Sequence, residues 1–263
     1  MKIPFERWFE AVRERSSVRS FLPTGLKEED EKKFVEFLSE MNEIYHGIRV
    51  KYVKEGFQEV AKGFIGSYGK IDGAEAYLVC LAEKNTPYKD EKVGYMGEAA
   101  VLEAMSMGIS SCWVTGTYKK EDVAKQIDVK DNEYIKSVVA IGYAKEKKKL
   151  SEKVLKTIVS SEKRKTLEKL CDGGVDDNWP DWVKTALETA RLAPSAINRQ
   201  PWRFKVEGNE ISIYLADEKG DKASKKLDCG IAMLHLEVGA LYSGVEGEWK
   251  FLLDPNVAKF IKK

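Results

Sequence analysis

The stretch Ala193-Pro194-Ser195-Ala196-Ile197-Asn198-Arg199-Gln200-Pro201-Trp202 carries the first decision about the fold. Pro194 and Pro201 bracket a segment that cannot be helical, and Gln200, standing before Pro201, is expected to be extended. Asn198 and Gln200 each offer two donors and one acceptor carbonyl. A rigid loop displaying amides suits the edge of a planar heteroaromatic ring. A plain helix-to-strand connection is the competing reading. The flanks are regular: residues 181–193 read as a helix, and 203–207 with 210–215 as a hairpin around Gly208-Asn209. A helix over 230–242 and a strand over 249–253 follow.

Upstream, Phe5, Trp8, Phe9 and Val12 at i, i+3, i+4, i+7 predict an amphipathic helix with Pro4 at its first turn. Phe34, Phe37, Leu38 and Met41 mark a second helix. Residues 75–82, 111–114 and 137–141 read as buried strands, with a helix of small residues over 94–107. From 145 to 169 the chain carries ten Lys/Arg against four Glu, a run read as a solvated helical face or a phosphate-binding contribution. An internal repeat is visible across this run. Gly94, Ala104, Gly108 and Trp113 recur as Gly230, Ala240, Gly244 and Trp249, all 136 residues on, and Leu81-Ala82-Glu83-Lys84 recurs as Ala216-Asp217-Glu218-Lys219 at an offset of 135. The expected organisation is a first half over 1–145, a basic connector over 146–172 and a second half over 173–263.

Composition narrows the function classes. The 263 residues are 43% hydrophobic and 10% aromatic, a globular composition. Because 44 Lys and Arg face 43 Asp and Glu, the net charge of +1 argues against a general nucleic-acid binder. Four cysteines without C-x-x-C spacing and only two histidines argue against a metal site. The longest apolar runs, such as 76–82, fall far short of the ~20 residues of a membrane span, and the first residues have no secretory apolar core. A soluble cytoplasmic protein with reduced thiols is expected.

Several catalytic schemes find no support. Gly66-Ser67-Tyr68-Gly69 has the wrong spacing for a nucleophile elbow. Gly69-Lys70-Ile71 puts Ile where a P-loop needs Ser or Thr, and no G-x-G-x-x-G occurs. His235 stands among Met233, Leu234 and Leu236 and reads as a packed or half-exposed histidine rather than a catalytic one; His46 has no evident partner. The segment Arg15-Ser16-Ser17-Val18-Arg19-Ser20-Phe21 is more informative. If extended, it puts Arg15, Ser17 and Arg19 on one side. Guanidiniums and hydroxyls converging there suit an anion, above all a phosphate, with a polar interhelical turn as the alternative.

Together, residues 15–21 and 193–202 resemble the two best-marked motifs of the FMN-dependent nitroreductase superfamily. Residues 94–116 resemble its central helix and following strand, and 160–170 its basic phosphate-binding tail. The resemblance implies an α+β, nitroreductase-like fold with a mixed β-sheet flanked by helices. It also implies that Arg15, Ser16, Ser17 and Arg19 bind the FMN phosphate and ribityl side, aided by Lys163, Arg164 or Lys165. Pro194, Ser195 and Asn198 would cover the ring, with Gln200 supporting the loop. Thr115 and Gly116 would bring backbone donors to the redox-active nitrogen, and Lys70 would face the pyrimidine edge. Ala196 stands where the family often has a second serine.

The departure from the family pattern is in the distribution of motifs. Ordinary members hold both in one half and pair two chains to make two sites. Here the first half has Met41-Asn42-Glu43-Ile44-Tyr45 where the loop belongs, and the second half has no arginine motif. The chain therefore resembles a fused pseudo-dimer of two related halves, each keeping a complementary part of one site. The implied activity is FMN-dependent oxidoreduction, with one FMN per chain. Reducing equivalents would pass from NAD(P)H to a small organic acceptor such as a nitroaromatic or quinone. The alternative is a non-catalytic flavin-binding or flavin-sequestering protein. No metal, nucleic acid or membrane is implicated, and a monomer is expected.

Overall fold

The computed structural model describes residues 2–61, 70–145, 164–217 and 219–263. These fall into two compact units, one drawn from Arg15–Lys89 and Ala99–Lys149, the other from Lys2–Glu14, Asp90–Glu98 and Leu150–Lys263. The units thus cross the expected linear division, because the first helix and part of a central helix group with the later residues. Among the described residues no helix is long and apolar enough to cross a membrane.

The first unit holds α2 (Glu28–Ile44), β1 (Ile48–Val53), α3 (Phe57–Val60), β2 (Tyr77–Glu83), the end of α4 (Lys89–Ser106), β3 (Ser110–Val114), α5 (Lys120–Ala124) and β4 (Glu133–Gly142). Four acidic residues fill the first turn of α2, where the helix dipole favours them, and Phe34, Leu38 and Met41 give it one buried stripe. The sheet order is β1-β2-β4-β3. The central strands β2 and β4 are buried on both faces, which explains why they read as apolar runs rather than as alternating patterns. One face packs Tyr77, Val79, Leu81, Val138 and Ala140 with Phe21 and Phe57.

The second unit holds α1 (Phe5–Glu14), the start of α4, α6 (Leu167–Leu170), α7 (Asp181–Arg191), β5 (Trp202–Glu207), β6 (Glu210–Leu215), α8 (Lys222–Tyr242), β7 (Gly247–Phe251) and β8 (Asn256–Lys262). Its sheet order is β5-β6-β8-β7. With α8 standing between β6 and β7 as α4 stands between β2 and β3, this is the topology of the first sheet repeated. Helix α8 begins eight residues before its expected start, because Asp221 caps it by accepting from the Ser224 N–H at 3.0 Å. Across the β7–β8 ladder Trp249 faces Phe260, ring centroids 5.3 Å apart.

Both ladders are antiparallel throughout. The mixed character expected of the sheet is confined to isolated parallel bridges, Ser17 with Ser111, Ser20 with Asp72 and Cys171 with Phe204. The bulk of the basic connector, residues 146–163, lies outside the described residues; Leu167–Leu170 at its end forms α6.

Candidate functional site

In the first unit, residues 15–21 run extended alongside β3. Ser17 bridges Ser111, the Val18 N–H donates to the Ser111 carbonyl at 3.0 Å, and Arg19 and Phe21 exchange backbone bonds with Asp72 at 2.9 Å each. Phe21 is buried and anchors the segment, while Arg15 and Arg19 are half-buried and Ser16 and Ser17 exposed. Burial pushes the Cys112 thiol on β3 up, and the Arg19 and Arg15 guanidiniums pull it back. At the end of that strand Thr115 is half-buried and Gly116 exposed in a bend. Lys70 is exposed two residues before Asp72, whose N–H donates to the Arg19 carbonyl.

In the second unit, the 193–202 loop departs from expectation in two ways. It contains one 3-10 turn, Ala196–Asn198, whose middle residue Ile197 sits at φ 49°, ψ 24°. Gln200, expected extended before Pro201, has φ 48°, and Asn198 has φ 55°. Left-handed conformations of this kind cost about 1–3 kcal/mol each, and a β-branched residue there is a true outlier. Tertiary hydrogen bonds override the local preference at Gln200. Its side chain is buried, with Oε1 accepting from the Lys165 N–H at 2.6 Å and Nε2 donating to the Asn198 carbonyl at 3.0 Å. Its N–H donates to the Ser195 hydroxyl at 2.9 Å.

Two flanking elements grip this loop. From one side, Lys165 Nζ donates to the carbonyls of Arg199 and Gln200, both at 2.9 Å, and Arg164 donates to Asn198 Oδ1 at 2.9 Å. Burial, with Arg203 nearby, holds the Lys165 ammonium below its usual range. From the other side Asp228 on α8 accepts from the Ala196 N–H at 3.2 Å and from Arg199 Nε at 2.8 Å. Burial pushes the Asp228 carboxyl up to about 6, against the pull of Arg199.

Of the expected site residues, Arg15, Ser16, Ser17, Arg19, Lys70, Thr115 and Gly116 belong to the first unit, and Arg164, Lys165, Pro194, Ser195, Asn198 and Gln200 to the second. Arg164 and Lys165, expected as phosphate ligands, bond to the loop; Pro194 and Gln200 are buried, and Lys163 lies outside the described residues. Sequence reasoning missed Asp228 and Arg199 as loop supports. The available signal was a carboxylate set in the apolar run of Leu227 and Cys229 to Leu234.

His235 is fully buried, Nε2 lying 2.9 Å from Glu98 Oε1 and Nδ1 3.3 Å from the Thr189 carbonyl. His46 is exposed in the turn before β1. All four cysteines are buried and outside any disulfide. Among the described residues no group of three His, Cys, Asp or Glu could hold a metal ion.

A profile of the family described as "Putative TM nitroreductase" matches residues 7–240. No curated protein matches the chain. Among solved structures, the crystal structure of a "putative nitroreductase" from Thermotoga maritima superposes with a TM-score of 0.65 at 22% identity, over 97% of this chain and 93% of that one. An FMN-dependent nitroreductase from Clostridium difficile gives a TM-score of 0.44 at 16% identity, over 54% and 90%. A nitroreductase with bound FMN from Desulfitobacterium hafniense gives 0.44 at 19%, over 54% and 91%.

Proposed function

The chain belongs to the nitroreductase family, whose profile spans most of its length, and from that membership we propose that it is an FMN-dependent oxidoreductase carrying one flavin per chain. The observation that carries this reading is the extended run of residues 15–21, held to β3 by the Ser17–Ser111 bridge and the Val18 N–H on the Ser111 carbonyl, with Arg15, Ser17 and Arg19 at alternate positions. A phosphate dianion needs at least two cations with well-aimed donors, and this donor set fits the FMN phosphate.

When bound, FMN would supply the redox chemistry, taking reducing equivalents from NAD(P)H for a small organic acceptor of nitroaromatic or quinone type. The residues of the chain bind and orient. Arg15 and Arg19 neutralise the phosphate, and Ser16 and Ser17 donate to its oxygens. Arg164, by bonding to Asn198 Oδ1, fixes which way that side chain's amide is turned, and Asn198 would contact the ring. Gln200 and Lys165 act from within the loop, Pro194 and Ser195 shape it, and Thr115 and Gly116 offer backbone donors. Lys70 would supply positive charge to the flavin's pyrimidine side. Within this proposal the protein is a cytoplasmic monomer.

The test is the absorbance spectrum of the purified protein. A flavin spectrum, bleached by NAD(P)H and restored by an added nitroaromatic or quinone, is expected, with one flavin released per chain on denaturation. A yellow protein that NAD(P)H leaves unbleached would point to flavin sequestration. A colourless protein that gains no stability from added FMN would overturn the reading.

A further inference from the structure

The 195–200 loop spends conformational energy on an unusual display. Ile197 and Asn198 are both left-handed, and Ile197, an apolar β-branched residue, is 67% exposed. Strain of this kind persists where surrounding bonds over-determine it. Here one buried side chain spans the strained pair. Asp228 is 1% exposed; one of its oxygens takes the N–H of Ala196, just before the pair, and the other takes the guanidinium of Arg199, just after it. The same guanidinium donates to Ser224 Oγ at 2.5 Å, one turn earlier on α8. Both oxygens are used on the loop, and none of these bonds is part of the helix itself.

We propose that Asp228 is a positioning residue: by fixing Ala196 and Arg199 it holds Ile197 and Asn198 in the left-handed conformations that present the loop to its ligand. The inference rests on the reading of this loop as the flavin-ring contact. If the loop relaxed without Asp228, only a fraction of molecules would be competent to bind. Apparent affinity would then fall by that fraction.

The test compares Asp228→Ala, Asp228→Asn and the double variant Asp228→Ala with Ile197→Gly, using apo protein titrated with FMN and amide exchange across 195–200 without FMN. Asp228→Ala is expected to bind FMN about 10- to 100-fold more weakly, with faster exchange at Ala196 and Gln200 and unchanged exchange in α8. Glycine enters the left-handed region without strain, so Ile197→Gly should restore much of the lost affinity in the Ala background. A merely structural role for Asp228 would give no such rescue. Asp228→Asn keeps an acceptor for Ala196 and should fall between parent and Ala; it replaces the Ala variant in both measurements if that variant fails to fold. Parental affinity and parental exchange in the Asp228 variant would overturn the proposal, as would a double variant that binds no better than the single. A parent protein that ignores FMN would overturn the flavin reading instead, and loop exchange would then decide the tether alone.

Discussion

Gly94 and Gly230 stand 136 residues apart, and each lies against the carbonyl of the residue three positions before the other. A Cβ on Gly94 would be 2.0 Å from the Leu227 oxygen, and one on Gly230 1.9 Å from the Glu91 oxygen. Glu91 and Leu227 are themselves 136 apart, so α4 and α8 cross with a local two-fold relation that the repeat encodes. Neighbouring contacts obey the same rule. Lys89 Nζ donates to the Lys84 carbonyl at 2.7 Å and Lys225 Nζ to the Lys219 carbonyl at 2.6 Å. The offset drops from 136 to 135 there, as it does in the sequence.

Alanine at Gly94 or Gly230 should destabilise the protein by about 3 kcal/mol, the upper part of the overpacking range, because backbone rather than a side chain blocks the new methyl. In an ordinary helix interior the same change would stabilise by up to about 1 kcal/mol, so the sign alone is diagnostic. Denaturant unfolding of both single variants and the double variant checks it. The double should cost less than the two singles together, since one separation of the helices accommodates both methyls.

Gly108 and Gly244 end the same helices at φ 78° and 75°. The N–H groups of Ile109 and Val245 reach back to Ala104 and Ala240 at 2.8 and 3.0 Å, a helix-ending motif that needs a left-handed residue. Alanine at either site should cost about 1–2 kcal/mol, and by similar amounts, as read from paired thermal melts.

Arg15→Ala should weaken FMN binding by about 1.5–3 kcal/mol, roughly 10- to 150-fold, through loss of a charge-assisted phosphate contact. Riboflavin, which lacks the phosphate, should bind variant and parent alike. Parallel fluorescence titrations with the two flavins make the comparison.

Arg49 and Glu133 join β1 to β4 through two bonds of 3.0 and 2.6 Å. Burial alone would raise the Glu133 carboxyl, but Arg49 and the Lys130 N–H outweigh it and hold it below its ordinary 4.5. A lowered folded value means that the stabilisation is present above pH 4.5 and is lost as the pH falls towards and through the folded value. Glu133→Gln should therefore cost about 1.5–3 kcal/mol at pH 7. The gap between variant and parent midpoints should narrow below pH 4.5 and stay constant above pH 6.

Much of the fold was legible because its signals are local. The stripe of Phe34, Leu38 and Met41, the apolar run of β2 and the Gly208 hairpin follow from side-chain periodicity and turn chemistry, and the topological repeat followed from glycines at one spacing. Strands β1 and β8 are absent from the sequence reading, although Ile48, Val50 and Tyr52 alternate with Arg49 and Lys51 in the half-buried pattern. The loop was legible in composition but not in conformation. Gln200 is set by Lys165, 35 residues away in sequence, and Ile197 by Asp228, 31 away. No local preference registers partners at that range.

Phe9 stacks on Tyr242 with ring centroids 3.7 Å apart and planes within 4°, and the helix that carries Phe9 leaves the ribosome well before the one that carries Tyr242. Its packing partner emerges 233 residues later. At about 5–20 residues per second, the apolar face of α1 waits roughly 10 to 50 s for α8. Trp8, Val12 and Phe9 must stay out of wrong associations for that whole interval. Abundance in the cell should accordingly depend on chaperones that bind nascent chains, and a circular permutant that begins after α1 and appends it behind β8 would shorten the exposure to a few seconds.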